Sequence, residues 1–306
     1  MKISVYITSF NKARFLSKAI RSVLNQTYNA NEIIIVDDCS TDNSREIIES
    51  FHMQYPNLIK PIFNEKNLGI SKARNIAISN CNNELVTFVD ADDYFLPNKL
   101  ENEFNLISRS SYDCIYSNHV FVDINDKKIS YFSTNKDVPV QGNIFIENYT
   151  RFFSVSSGAN FHNEMFYKKH AIEIGLYDEN IKIWEDWDFR IRMSKEKQYG
   201  YSPQVNSSYR VYEEGLHHSA PDINYREQIK IYNKNQVLIK DLPYEDQLLI
   251  HNRVYSKIKA SFFDILNNNK LKRNIFLNIY YCISFIFNFR TRKSISFAIR
   301  TLLKFN

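Results

Sequence analysis

Apolar positions along residues 2–119 fall into short runs rich in β-branched side chains, separated by stretches of helical periodicity. The runs at 2–8, 32–36, 59–63, 84–89 and 113–119 predict strands. Between them, 13–26 brings Phe15, Ala19, Ile20, Val23 and Leu24 to one helical face, and 44–51 and 70–79 read as shorter helices. Strand and helix alternating in this way predict an α/β fold around a mostly parallel sheet, whose ligands bind beyond the carboxyl ends of its strands. Attention therefore falls on the segments after residues 8, 36 and 89. Residues 120–180, broken by Gly142, Gly158 and Gly175, predict a more variable half that meets a second substrate. Residues 184–195 look helical, 199–212 strand-like, and after Pro221 the chain turns helical and basic. The expected division is a catalytic domain over 1–220, with halves 1–119 and 120–220, and a helical basic region over 221–306.

Charge sharpens that division. The 306 residues carry a net charge of +5, yet residues 265–306 hold eight Lys and Arg with no Asp or Glu, so the remaining 31 basic and 34 acidic residues leave the body at about −3. A slightly acidic body with no basic groove interleaved with stacking aromatics speaks against nucleic acid as a partner. Cys39, Cys81, Cys114 and Cys282 include no C-x-x-C pair, which suggests neither a zinc site nor a disulfide framework and fits a reducing cytoplasm. The apolar stretch at the N-terminus is too short for a signal peptide or a membrane span.

Three segments carry candidate chemistry. Thr8-Ser9-Phe10-Asn11 and Asp37-Asp38-Cys39-Ser40-Thr41-Asp42 end the first two strands; a carboxylate at Asp38 suits an imide N–H and a ring at Phe10 suits a base face, while Ser40, Thr41 or Asp42 equally suits a helix cap. The buried-looking run 85–89 delivers Asp90-Ala91-Asp92-Asp93. Strand periodicity puts Asp90 and Asp92 on one side, where a hard divalent cation, Mn²⁺ or Mg²⁺, relieves their repulsion; a solvated turn with Asp93 capping the helix near Pro97 is the alternative. Trp184-Glu185-Asp186-Trp187-Asp188-Phe189-Arg190 opens a helix with Trp184, Trp187 and Ile191 on one face and carboxylates in the first turn. Asp186 there suits a proton acceptor, or else Asp186–Arg190 and Asp188–Arg192 are i,i+4 ion pairs beside core tryptophans.

Taken in order, the segments ISVYITSFN (3–11), IIIVDDCSTD (33–42), NLGISKARNI (67–76), VTFVDADDYFLP (86–97) and WEDWDFR (184–190) resemble the inverting glycosyltransferases of family 2, which have the GT-A fold, over roughly residues 1–215. The resemblance implies that Thr8, Phe10 and Asp38 hold a uridine, that the Asp90-Ala91-Asp92 triplet lies along the nucleotide with Asp90 near the ribose, and that Asp92 ligates a metal on the diphosphate. It also implies Asp186 as the base, places Arg74 either with residues lining the nucleotide pocket or as a helix-surface charge, and lets His217 or His218 approach the metal, with His218 as the candidate ligand. Phe10 stands where a tyrosine is common and Cys39 where a glycine often follows the paired aspartates.

The activity so implied is transfer of a hexose or N-acetylhexosamine from a UDP-sugar to a hydroxyl of a glycan or glycolipid in bacterial surface polysaccharide or lipooligosaccharide synthesis. Its rivals are the same fold with a GDP- or dTDP-linked donor, and a non-catalytic nucleotide-binding module. Residues 274–289 and 292–304 pattern as amphipathic helices with cationic flanks, suited to the anionic cytoplasmic face of an inner membrane or to packing on protein.

Overall fold

In the computed structural model, residues 1–212 and 221–267 are described. The strands are β1 (Ile3–Ser9), β2 (Glu32–Asp37), β3 (Ile59–Phe63), β4 (Leu85–Asp90), β5 (Cys114–Val122), β6 (Lys128–Tyr131), β7 (Met165–Tyr167) and β8 (Tyr199–Arg210). The helices are α1 (Ala13–Leu24), α2 (Ser44–Gln54), α3 (Ile70–Asn80), α4 (Lys99–Ser108), α5 (Phe145–Thr150), α6 (Lys168–Glu173), α7 (Glu185–Ser194), α8 (Pro221–Asn235) and α9 (Tyr244–Asn267).

The eight strands form one sheet in the order β3-β2-β1-β4-β7-β5-β6, with β8 on the other edge of β5. Parallel pairing joins β1 to β2 and β4, β2 to β3, and β5 to β8, whereas β6 and β7 run antiparallel to their neighbours. A mostly parallel sheet flanked by helices is therefore what the chain forms, with β6 and β7 as additions that hydrophobic periodicity did not predict. Strand alternation supplies a core on each face. Ile3, Val5 and Ile7 pack with Leu16 and Ile20 of α1, Ile48 of α2 and Leu100 of α4, while Tyr6, Ile34 and Phe88 pack with Ala73 and Ala77 of α3 and Phe189 of α7.

The chain separates into two compact units, Met1–Glu213 and Glu214–Asn306. In the second, α8 and α9 pack together, with Ser261 Oγ donating to Gln228 Oε1 at 2.9 Å. Among the described residues no helix is long and apolar enough to cross a membrane. The tail segments 274–289 and 292–304 lie outside the described residues.

Candidate active site

Parallel register gathers the first group of side chains. Thr8 is flanked by Val36 on β2 and Asp90 on β4, and Asp38 N–H donates to Ser9 O at 2.8 Å, so the carboxyl ends of β1, β2 and β4 close on one another. Thr8 Oγ1 and Ser9 Oγ are buried there with no hydrogen-bond partner, which leaves two polar atoms for a ligand to satisfy. Phe10 is 45% exposed at the rim. Asp38 is buried and accepts from Asn64 Nδ2 at 2.8 Å, Leu68 N at 2.9 Å and Gly69 N at 2.8 Å. A carboxylate offers about four acceptor positions, so one stays open on Oδ2. Cys39 adopts φ 64, the left-handed region that favours glycine, which accounts physically for a glycine being at home at this position. Capping also operates here: Asp42 accepts from Ser44 N at 3.0 Å and, across the cleft floor, from Ala13 N at 2.9 Å, serving the first residues of both α2 and α1.

The acidic turn departs from its expected geometry. β4 ends at Asp90, and Asp93 N–H donates back to Asp90 O at 2.9 Å, so strand alternation stops before Asp92. Asp90 and Asp92 consequently face different cations. Asp90 accepts from Arg74 at 3.0 Å and lies 3.3 Å from His162 Nε2, which also sits 3.1 Å from Asp93. Asp93 accepts from Arg210 N at 2.6 Å and does not cap α4, whose N-cap is Asn98. Asp92 meets Lys12 Nζ at 2.9 Å and accepts from Tyr212 OH at 2.5 Å. Ala91, between them, is buried among the core residues.

Arg74 is a buried bridge, which removes the helix-surface alternative for it. From α3 it reaches Asp90 at 3.0 Å and Glu185 at 2.9 Å, its guanidinium 5.0 Å and 5.4 Å from the ring centres of Phe88 and Tyr177. It thereby ties the end of β4 to the start of α7. Burial opposes ionisation of Asp90, but the Arg74 charge and the His162 contact outweigh it and hold the carboxyl well below its ordinary range. For His162, burial opposes the charge and the hydrogen bonds to Asp90 and Asp93 overcome it, raising the imidazole to about 9.

On α7 the i,i+4 pairs form: Arg190 meets Asp186 at 2.7 Å and Arg192 meets Asp188 at 2.7 Å. Arg190 is shared with Glu164, at 2.9 Å and 2.8 Å through two nitrogens. Burial pushes Asp186 toward the neutral acid, yet Arg190 and Arg151 lower its pKa, so it is an ionised acceptor at neutral pH. Trp187 is core, its Nε1 donating to Asn148 O at 2.9 Å. Trp184 differs from its expected place on the helix face: it precedes the helix as the N-cap at φ 65, with the Arg151 guanidinium 4.1 Å from its ring centre. His217 and His218 lie outside the described residues.

Two carboxylate groups suit a hard cation differently. One oxygen each of Asp90 and Asp93 and a ring nitrogen of His162 lie within 4.8 Å of one another. That trio already contains a cation in protonated His162, and Arg74 adds another on Asp90. Asp92 is about a fifth exposed, with Lys12 and Tyr212 on Oδ2 and no protein partner on Oδ1 among the described residues. A carboxylate with one oxygen open fits a divalent ion that also takes oxygen ligands from a diphosphate. Lys12, Tyr212 and His162 were not foreseen, because no periodicity or motif singles them out.

Residues 4–172 match the model of glycosyl transferase family 2. An uncharacterized glycosyltransferase of Nostoc sp. is 45% identical over 134 residues, 44% of this chain and 41% of that protein. The minor teichoic acid biosynthesis protein GgaA of Bacillus subtilis is 33% identical over 218 residues, 68% of this chain and 46% of its own length. The chain thus spans less than half of either relative. S. aureus TarS 1–349, solved in complex with UDP-GlcNAc, superimposes with a TM-score of 0.68 at 19% identity over 94% of this chain and 80% of that one, which shows a shared GT-A fold.

Proposed function

As the chain belongs to glycosyl transferase family 2, we propose that it transfers a hexose or N-acetylhexosamine, with inversion, from a UDP-sugar to a hydroxyl of a glycan or glycolipid during bacterial cell-surface glycan synthesis. The observation that carries this reading is the convergence of Thr8, Phe10, Asp38, Asp90 and Asp92 at one end of the sheet, with Arg74 joining that end to the helix bearing Asp186. TarS, similar in fold, was solved with UDP-GlcNAc, which supports a UDP donor here, and GgaA is named for minor teichoic acid biosynthesis, which supports a surface glycan.

In this reading Phe10 stacks on uracil, the open position of Asp38 accepts its imide N–H, and Thr8 Oγ1 gains a partner. Asp90, held by Arg74 and His162, faces the ribose, with Ala91 behind it. Asp92, with His218 as an expected companion, would hold Mn²⁺ or Mg²⁺, which when bound offsets negative charge on the departing diphosphate. Asp186 takes the proton of the acceptor hydroxyl as that oxygen attacks the anomeric carbon from the face opposite the nucleotide. Its pair with Arg190 keeps it ionised and aimed before the acceptor arrives. The basic tail supports peripheral attachment to an anionic cytoplasmic membrane face; reversing Arg290, Arg292 and Lys293 to Glu should then abolish sedimentation with anionic vesicles.

The test is UDP release across a panel of UDP-sugars with Mn²⁺, Mg²⁺ or EDTA, run beside Asp92→Ala and Asp186→Asn. Release from one donor that disappears with EDTA and with Asp92→Ala, and falls at least about 10²-fold in Asp186→Asn with UDP affinity retained, is expected. Near-normal turnover of Asp186→Asn would remove it as the base.

A further inference from the structure

Lys12 is a charged residue of the cleft that the proposed mechanism leaves unused. It lies in the turn after β1, and its side chain crosses toward β4, where Nζ meets Asp92 Oδ2 at 2.9 Å and donates to Tyr212 OH. Tyr212 OH in turn donates to the same oxygen of Asp92 at 2.5 Å. The ammonium therefore spans the ends of β1 and β4, between Phe10 and the acidic turn, the gap through which a nucleotide held at those two ends must run.

Its anchoring is unlike that of the other cations in the cleft. Arg74 is 5% exposed and clamped between two carboxylates, and Arg210 is held at three sites by Asp92 O, Asp123 O and Asp126 Oδ1. Lys12 has a fixed backbone and a loose head. Its turn is pinned by Asn11 N to Ser40 Oγ at 2.9 Å, Lys12 N to Ser44 Oγ at 3.3 Å and Ala13 N to Asp42 Oδ2 at 2.9 Å. Among the described residues the ammonium meets only Asp92 and Tyr212, and the side chain is 25% exposed. A lysine stem pivots at little cost when its base is fixed, and an ammonium is a compact charge that transfers readily between anions.

An ammonium and a divalent ion repel each other strongly at contact distance on one carboxylate. We propose that Lys12 is the counter-cation of Asp92 in the donor-free protein, that it competes with the divalent metal there, and that it turns onto the donor diphosphate when metal and nucleotide enter together. This rests on the reading of Asp92 as metal ligand. It makes Lys12 the coupling element: metal binds weakly until a diphosphate draws the ammonium away, so an unproductive metal-only state is suppressed.

The test titrates Mn²⁺ into the full chain, following the free-ion EPR signal, for wild type, Lys12→Met, Lys12→Arg and Asp92→Asn, with and without UDP. Without UDP, Lys12→Met should bind Mn²⁺ about tenfold more tightly than wild type, the size expected for removing one partly screened charge at contact. UDP binding in EDTA should weaken about tenfold in Lys12→Met, because the diphosphate loses its ammonium. Lys12→Arg, which keeps the charge, should stay near wild type in both. Mn²⁺ affinity unchanged or weaker in Lys12→Met, with Asp92→Asn losing Mn²⁺, overturns the role of Lys12 and leaves Asp92 as ligand. Mn²⁺ binding unchanged in Asp92→Asn overturns both.

Discussion

Arg74→Met is the perturbation that most directly probes how the two parts of the cleft are joined. The side chain fits by volume, so the loss is electrostatic: Asp90 and Glu185 keep their positions and lose the charge between them. Removing one partner of a buried ion pair costs about 3–5 kcal/mol. Asp90 is 24% exposed and still faces His162, so the lower figure, about 3 kcal/mol, applies. For a unit of this size that corresponds to a melting temperature lower by roughly 6–12 °C. The sign of its pH dependence follows from the carboxyls. The depressed pKa of Asp90 means that its contribution to wild-type stability is present above its ordinary pKa and is lost as pH falls. Glu185 is raised by burial even with Arg74 opposing, so in the variant it takes up a proton still more readily. The gap between wild type and Arg74→Met should therefore narrow as pH falls from 7 and Glu185 is protonated, while its Asp90 part persists to about pH 4 and closes only below that. Urea unfolding followed by tryptophan fluorescence across that range measures it. A gap under about 1 kcal/mol at pH 7, or one that does not close in acid, refutes the bridge as an energetic element.

His162→Gln should destabilise with the opposite pH trend: the imidazole is raised to about 9, so its contribution is full below its ordinary pKa of about 6.5 and vanishes as pH passes about 9, which urea midpoints at pH 6 and pH 9.5 would show. Lys99, fully buried, meets Glu103 at 2.5 Å, Thr87 Oγ1 at 3.1 Å and Asn163 O at 2.8 Å; Lys99→Met should cost about 3–5 kcal/mol and Lys99→Met with Glu103→Leu much less, measured by thermal denaturation. Gly69 sits at φ 86 with nothing within 4 Å of an added Cβ, so Gly69→Ala should cost about 1–2 kcal/mol of backbone strain alone, and should weaken UDP binding because Gly69 N–H orients Asp38.

β1, β2 and β4 were legible because burial on both faces writes them as continuous apolar runs, and the edge strand β3 because its short apolar run Ile59–Phe63 is broken only by Lys60. β1, β2, β3 and β4 fall within a residue or so of 2–8, 32–36, 59–63 and 84–89. β6 and β7 carry no such mark. Lys128–Tyr131 is exposed throughout, and Met165–Tyr167 is three residues long; each is a strand only because an edge of β5 or β4 was waiting for it. A pairing decided by the partner leaves no period in the segment that joins it. The helix over 185–194 was legible, while Trp184 was placed on its face rather than at its cap, since helical spacing continues one position past a residue whose backbone has already turned to φ 65.

The site follows the same division. Asp38, Asp90, Asp92 and Asp186 stand at the ends of elements that the pattern located, so their gathering could be reasoned from parallel-sheet topology. What each carboxylate faces could not. Asp90 and Asp93 converge on His162 from 72 and 69 residues away, and His162 belongs to a segment with neither period nor motif. The turn after Asp90 then sends Asp92 the other way, to Lys12 and Tyr212. The three neighbouring carboxylates are thus divided between two sets of cations, Arg74 and His162 for Asp90 and Asp93, and Lys12 for Asp92. Asp93 is buried and Asp90 half-buried, both with fixed partners, whereas among the described residues Asp92 alone of the three is matched with a lysine on a free stem and keeps an oxygen open. The chemistry of the turn is set by that difference in anchoring more than by the number of acids in it.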